Sequence, residues 1–315
     1  GRVETAGFGG IEDNVQDRRM DDYTQFNVST NAQLGKFFPE KAKVSIPVYY
    51  AYGKEVSKPK YDPTNTDLLL KESLETLETG HERDSLEDLA KTVYTTKSFN
   101  ITNLKVDIKS KKFPMPYDPA NFSLSYAYTE ADEHNPDVLR SVTRDHKGTF
   151  MYQYNIQPKP WEPFKKFKSL SKPIFRIIKD INIYYLPSSV NYATTLRRQY
   201  EEEQERDLTG AGIDYKDPDN SLLTVSKDFL WTHDFDIKYD FSKELRFSFT
   251  CSANSQIDET RYAPVNKDLF PTEYENWKDT VMRSLLHGGQ PLAYQQTFTA
   301  NFTSPLNKIP IFSWI

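Results

Sequence analysis

Residues 23–34 read YTQFNVSTNAQL. Thr24, Phe26, Val28, Thr30, Ala32 and Leu34 share one parity; Tyr23, Gln25, Asn27, Ser29, Asn31 and Gln33 share the other. Side chains along a strand point alternately to its two faces, so this period of two predicts an extended segment with one apolar face and one polar, uncharged face. A soluble sheet and a membrane-spanning sheet both show such alternation, and the rest of the chain has to choose between them.

The pattern recurs. Ala42, Val44, Ile46, Val48, Tyr50 and Tyr52 share a parity, as do Phe122, Leu124, Tyr126 and Tyr128, and then Phe150, Tyr152, Tyr154 and Ile156. The run 229–241 places Phe229, Trp231, His233, Phe235, Ile237, Tyr239 and Phe241 on one side. The next two runs do the same with Leu245, Phe247, Phe249, Cys251 and Ala253, and with Leu292, Tyr294, Phe298, Ala300 and Phe302. Less regular strands are expected over 97–107 and 179–197, the latter bent at LPSS, with short pieces at 2–10 and 308–315. About ten strand segments of one all-β wall over 1–315 are therefore predicted.

Composition narrows the surroundings. Among 315 residues there are 20 Tyr and 20 Phe, 27% of residues are charged, and mean hydropathy is −0.71. A spanning helix needs roughly 18 apolar residues in a row; the longest apolar run, IPVYYAY at 46–52, suits only a strand. The net charge of −5 is mild and spread along the sequence, which gives no reason to expect nucleic acid as a partner. Cys251, between Phe249 and Ala253 in its row, reads as a small apolar residue of a strand. GRVETAGFGG at the start lacks a basic and apolar leader, and IPIFSWI ends while a strand pattern is running. The sequence is accordingly expected to be a segment of a longer chain.

Links between the strands alternate in length. Long excursions are expected at 55–96, 130–148, 198–221 and 257–289, as loop or cap elements, with shorter links between them. In an up-and-down antiparallel sheet every second link lies at the same end, so one end has tight turns and the other large excursions, the asymmetry of outer-membrane barrels. Two excursions carry helix signals. In 272–288 Thr272 is expected to cap a helix, with Glu275 completing a capping box and Gly288 stopping it. In 64–92 two helical stretches are separated by Gly80.

Little supports catalysis. His81, His134, His146, His233 and His287 show no metal-ligand spacing, there is no GxSxG, and the GAG at 210–212 lies in a polar loop. DYKDPDN at 214–220 misses the calcium-loop pattern. No catalytic residue, metal ligand or cofactor is expected. The segment 158–175, PKPWEPFKKFKSLSKPIF, interleaves Trp161, Phe164, Phe167 and Phe175 with Lys159, Lys165, Lys166, Lys168 and Lys172. Aromatic bodies beside cationic tips suit a membrane interface with anionic head groups; a packed connector is the other reading. The uncharged polar parity at Gln25, Asn27, Ser29, Ser123, Ser125 and Thr129 carries fewer Lys and Glu than the solvent face of a soluble sheet usually does, and suits a water-filled lumen. His233, in the middle of an apolar row, is an exception to the pattern.

TAGFGGIEDNVQDRR, LGKFFPEKAKVSIPVYYAYGKEVSKPKYDPTNTD, PYDPANFSLSYAYTEADEHNPDV, PKPWEPFKKFK, NIYYLPSSV and SKDFLWTHDFDIKYDFSKELRFSFT together resemble the SprA (Sov) family, the outer-membrane translocon of the Bacteroidota type IX secretion system. The resemblance is spread over most of the chain and includes no catalytic motif. It implies a very large single-chain antiparallel transmembrane β-barrel that exports folded cargo proteins bearing a C-terminal sorting domain, through a pore able to open laterally. It also implies a PorV-like barrel, a plug protein and a periplasmic prolyl isomerase as partners, in a setting of gliding motility or virulence-factor export. Family members are far longer than this sequence.

The expectation is then a piece of barrel wall in the bacterial outer membrane. Phe26, Val28, Phe122, Leu124, Phe235, Phe247 and Phe298 would face lipid or a partner barrel, and Asn27, Ser29, Ser123, Ser125 and Ser248 the lumen. An Arg at Phe26, read as near mid-bilayer, would cost about 2–4 kcal/mol, and one at Asn27 little. The rival readings are an outer-membrane receptor or porin for small solutes, and a soluble glycan-binding β-sandwich with the aromatic rows as its core.

Overall fold

The computed structural model describes residues 1–5, 20–110, 114–165, 176–207, 214–215, 217, 220–260 and 264–304. The strands are β1 Arg2–Glu4, β2 Asp21–Gln33, β3 Val44–Ser45, β4 Pro47–Pro59, β5 Tyr61–Asp62, β6 Asn65–Leu69, β7 Thr92–Val106, β8 Phe122–His134, β9 Val138–Asn155, β10 Ser189–Glu205, β11 Leu223–Asp240, β12 Leu245–Gln256 and β13 Gln290–Phe302. Four helices interrupt them: α1 Leu70–Thr76, α2 Gly80–Ala90, α3 Arg176–Lys179 and α4 Pro271–Leu286.

All but β5 and β6 join one 11-stranded antiparallel sheet in the order β1-β2-β4-β7-β8-β9-β10-β11-β12-β13, with β3 added to β7. Strands adjacent along the sheet follow one another in sequence apart from these short pieces, the up-and-down arrangement expected. The expected contrast between a tight-turn end and a long-link end is not found, because the long link 156–188 lies at the end of the short links and the tight turn 135–137 at the other. The sheet is open, with β1 and β13 as its edges. β5 and β6 form a separate two-stranded ribbon. The all-β class expected from the alternation is the class observed.

Links 34–46, 107–121, 156–188 and 241–244 lie at one end of the sheet, the lower end, and links 60–91, 135–137, 206–222 and 257–289 at the other. Several boundaries differ from the sequence reading. The excursion expected at 130–148 is almost all strand: β8 continues to His134, β9 starts at Val138, and Asn135 closes the turn by accepting the Val138 N–H through its side chain at 2.8 Å. β10 likewise continues to Glu205 and β4 to Pro59, so 198–221 and 55–96 are excursions only in their central parts. Charged residues conceal these continuations, because polar side chains can extend a strand once it has left an apolar layer. The strand expected over 179–197 begins only at Ser189; before it, Ile183 makes an isolated bridge with Trp161. The stretches 5–10 and 308–315 lie largely outside the described residues.

Gly80 does not separate the two helices of the 60–91 excursion but begins the second. Thr79 is the N-cap of α2 and forms a capping box with Glu82: Glu82 N–H donates to Thr79 Oγ1 at 3.2 Å, and Thr79 N–H to Glu82 Oε2 at 3.3 Å. The box expected at Thr272 and Glu275 is absent. α4 starts at Pro271 after Phe270, with proline in the first turn, where no N–H is missed. Gly288 and Gly289 end it with φ of 79° and 72°, values a side chain rarely adopts.

Both helical excursions fold onto the same face of the upper strand ends. α2 meets β4 and β8 through Lys58 to Glu87 at 3.0 Å and His134 to Asp88 at 3.9 Å, over buried Val93 and Ala90. α4 and its flanks cover buried Val142, Tyr200 and Val225 with Ile257, Phe270 and Val281. These patches supply most of the buried apolar side chains among the described residues; the middle of the sheet has no second layer.

Candidate functional site

The pairing register decides which residues share a face, since directly opposed residues of neighbouring strands point the same way. One ladder row runs Ala32, Val48, Ile101, Tyr126, Gly148, Leu196, Trp231 across β2, β4, β7, β8, β9, β10 and β11. Another runs Phe122, Tyr152, Tyr192, Phe235, Cys251, and a third runs Tyr154, Val190, Ile237, Phe249, Phe298. Phe26, Val28, Phe122, Leu124, Phe235, Phe247 and Phe298 therefore all lie on one face, although they come from five different strands. Aromatic contacts join them: Phe122 with Phe150 at 6.1 Å, Phe235 with Phe249 at 6.3 Å, and Phe247 with Phe298 at 5.8 Å between ring centroids.

Among the described residues most of this belt is uncovered; only its margins, as at Tyr154, meet the links. Phe26 is 53% exposed, Leu124 47% and Phe298 66%. Soluble monomers rarely expose contiguous apolar areas beyond a few hundred Å². A sandwich core would bury these side chains, and among the described residues the only other sheet is the β5–β6 ribbon; the glycan-binding sandwich is thereby set aside.

The belt does not follow the ladder rows. The row that leaves its lower margin at Ala32 on β2 reaches its upper margin at Trp231 on β11, six strands further on. Its edges thus move by about one residue per strand or slightly more. With about 3.4 Å per residue and about 4.8 Å between strands, the strands cross the belt at roughly 35–40° from its normal. On β11 the belt runs from Trp231 to Tyr239, a height of roughly 22 Å at that inclination, against about 25 Å and 35–45° for the apolar band and strand tilt of outer-membrane barrels.

Tyrosines and tryptophans mark both margins, with Tyr52, Tyr128 and Trp231 above and Tyr154 and Tyr239 below. At the lower margin the hydroxyls of Tyr152, Tyr154 and Tyr239 donate to the carbonyls of Pro116, Pro114 and Tyr184 at 3.0, 3.1 and 2.8 Å, tying the lower links to the sheet. Above the upper margin the same face turns ionic. Glu130 on β8 accepts from Lys97 on β7 at 2.8 Å and from Arg144 on β9 at 3.0 Å, in one ladder row. Further along, Arg198 pairs with Glu259 at 2.8 Å and lies 4.8 Å from the Trp277 ring of α4, whose indole N–H donates to the same carboxylate. Neither ionic group is visible in the sequence, because its members lie 14 to 61 residues apart and only strand pairing aligns them.

The opposite face is polar. It carries Asn27, Ser29, Ser123, Ser125 and Ser248, together with Thr149 and Thr195 in contact at 3.2 Å, Asn191 donating to Asp236 at 3.0 Å, and Ser252 donating to Asp234 at 2.7 Å. Ser125 has a local task as well: its Oγ accepts the N–H of Asn103 at 2.9 Å, where Asn103, at φ 54°, forms a bulge in β7. Gly53 sits between Asn27 and Thr96, and a Cβ there would lie 2.7 Å and 2.6 Å from their side-chain oxygens. A shallow concavity of about 400 Å³ on this face is lined by Met151, Gln153, Asn191, Asp234, Asp236 and Ser252, and two others lie near Asn31 and Glu201.

In the basic and aromatic segment, Trp161 bridges Ile183 by backbone hydrogen bonds of 2.8 and 3.0 Å and its ring lies 6.0 Å from that of Tyr185. Lys165 pairs with Glu162, which Lys243 of the 241–244 turn also approaches at 3.6 Å. Phe164 lies just beyond Glu162 in the same turn; Lys166 and Lys168 lie outside the described residues. Charge is not evenly distributed once the chain is folded. Among the described residues the four lower links hold nine Lys and Arg against six Asp and Glu, and the four upper ones eight against nineteen.

Segregated faces and an inclined apolar belt with aromatic margins define an open, up-and-down antiparallel sheet with one apolar and one polar side. The family SprA_N, described as motility related/secretion protein, matches residues 1–74, in agreement with the resemblance carried by the residues themselves. No curated protein matches the chain. Among the described residues no helix is long and apolar enough to cross a membrane.

Proposed function

We propose that this chain forms part of the wall of an outer-membrane, protein-conducting barrel of the SprA type, exporting folded cargo in type IX secretion. The observation that carries this reading is the inclined, uncovered apolar belt, whose tilt and height match those of a barrel in a bilayer. The match to a motility and secretion family over residues 1–74 supports it. Phe235, Phe247 and their row face lipid or a neighbouring barrel; Asn27, Ser123, Ser248 and their row face water in the lumen. The polar face combines short uncharged groups with charged ones, among them Asp234, Asp236 and the Arg197–Asp145 pair, and gives a passing protein hydrogen-bonding partners. No bond is made or broken by this wall, so the free energy for export comes from outside it. The partners implied are cargo with a C-terminal sorting domain, a PorV-like barrel, a plug protein, a periplasmic prolyl isomerase and outer-membrane lipid.

Single cysteines in a cysteine-free full-length protein test the assignment. At Asp236 and Ser248 they are expected to react with a water-soluble maleimide in outer-membrane vesicles, and a bulky adduct there to slow cargo export. At Ile237 and Phe247 they are expected to stay unlabelled. Equal labelling of the two sets would reject the wall, and labelling without any effect on export would favour a small-solute porin or receptor.

A further inference from the structure

We propose that the lower outer rim of the sheet carries a binding site for an anionic phospholipid, at a groove between links 107–121 and 156–188. The inference rests on the lipid-facing reading of the apolar belt and adds a defined, charge-selective position at its margin.

A groove of about 900 Å³ is lined by Pro114, Ile156, Pro158, Lys159, Tyr185 and Leu186. It lies directly below the belt. Ile156 continues the parity of Tyr152 and Tyr154, and the Tyr154 hydroxyl is hydrogen-bonded to the carbonyl of Pro114, which forms the opposite wall. The groove thus adjoins the lower margin of the belt, where Tyr154 and Ile156 are buried, and its walls are mostly apolar. Tyr185 and Leu186 are 66% and 44% exposed, and Trp161, beside Tyr185, is 51% exposed. The described parts of link 156–188 are tied to each other and to the 241–244 turn. Trp161 and Ile183 bridge it to itself, Tyr184 N–H donates to Phe241 O at 3.0 Å, and the buried Asn182 accepts the Lys243 N–H at 2.8 Å.

Charge selects the occupant. Lys159 stands exposed at the mouth, with no ion pair among the described residues, and the described residues of the lower links carry more Lys and Arg than Asp and Glu, whereas those of the upper links are strongly acidic. An apolar slot that opens on hydrocarbon, next to a free ammonium and two amphipathic rings, matches a lipid with its chains upward and an anionic phosphodiester head at the rim. An acidic protein segment would satisfy the ammonium but would leave the hydrocarbon side of the slot unmatched.

The test is photocrosslinking of the full-length protein in nanodiscs, using phosphatidylglycerol or phosphatidylcholine with a photoreactive group on one acyl chain, followed by peptide mapping. Belt peptides of β11 and β12 are expected to label equally with both lipids. Peptides covering 156–165 and 184–188 are expected to favour phosphatidylglycerol by about fivefold, the factor one Lys near an anionic surface supplies. Lys159→Glu should abolish that preference and leave belt labelling unchanged, while Lys159→Arg should keep it. Equal labelling of the groove by both lipids, or a labelled belt beside an unlabelled groove as for an acidic protein occupant, would overturn the site alone. A belt unlabelled by either lipid would overturn it by removing the lipid-facing reading on which it stands.

Discussion

The hydroxyl of Tyr192 on β10 lies 2.9 Å from Nδ1 of His233 on β11, within the apolar belt. Trp231 covers the imidazole at 4.7 Å between centroids and donates its own N–H to Thr194 Oγ1 at 2.8 Å. The hydroxyl and this ring nitrogen partner each other across the two strands, so neither polar group is left unsatisfied on the apolar face. His146 repeats the arrangement with Tyr126 at 2.9 Å. The histidine that breaks the apolar pattern in the sequence is thus accommodated by a neighbour 41 residues away.

Removing that neighbour should therefore cost more than removing the histidine. Tyr192→Phe leaves a ring nitrogen without its partner and is expected to lower stability by about 1–3 kcal/mol, whereas His233→Phe in the Tyr192→Phe background should recover most of it. Denaturant unfolding of the full-length protein in vesicles gives both values. Equal losses in the two single variants, with no recovery in the double, would argue against the pairing.

Depth in the belt sets the cost of a charge. The structure places Phe26 at the upper margin, beside Lys54 in its ladder row, and Phe235 near the middle. Phe235→Arg is expected to cost about 2–4 kcal/mol, Phe26→Arg about 0–1, and Ser248→Arg on the opposite face little. This revises the mid-bilayer position expected for Phe26 from the sequence. Folding yields in lipid at graded urea would show whether the order holds.

Glu130 joins three strands above the belt. Glu130→Ala leaves Lys97 and Arg144 facing each other across its position, and a loss of about 1.5–3 kcal/mol is expected, the range for hydrogen bonds to charged groups. Replacing Lys97 by Met in the same background should relieve part of that loss in a double-mutant cycle.

In the lower turn 107–121, Asp118 accepts from the Ser110 hydroxyl and from the backbone N–H of Met115 at 2.9 Å, and these bonds hold its carboxyl below the ordinary value of 3.8. A depressed folded-state value means that the contribution is complete above 3.8 and disappears as pH falls through the lower folded value. Protection of the Ser110 and Met115 amides, taken as the ratio of intrinsic to observed exchange rate, should be high at neutral pH and fall once the pH drops below that window. In Asp118→Asn it should lose this pH dependence; an unchanged profile would contradict the assignment.

The alternation at 23–34, 121–129 and 229–241 made most of the long strands legible, because a sheet with one apolar face constrains every second residue. The strand continuations at 130–134 and 198–205 were not legible. Above the belt, ion pairs and folded-down helices replace apolar contact, and a sequence such as QYEEEQE at 199–205 satisfies these as a strand while reading as a loop. Of the basic and aromatic segment, the sequence showed the composition but not the groove, which needs Pro114 from another link.

By itself the sequence determined that the chain is a sheet of up-and-down strands with two unlike faces, since a period of two is a local property of each strand. Only the tertiary structure decided how those faces join. The register aligned apolar residues from different strands into one inclined belt, and it brought Glu130 between two cations and Tyr192 to His233. It also sorted the charges, which along the chain look evenly spread, into a basic lower end and an acidic upper end. The reason is that face, depth and end are set by hydrogen-bonded pairing between distant segments, and no local pattern encodes those distances.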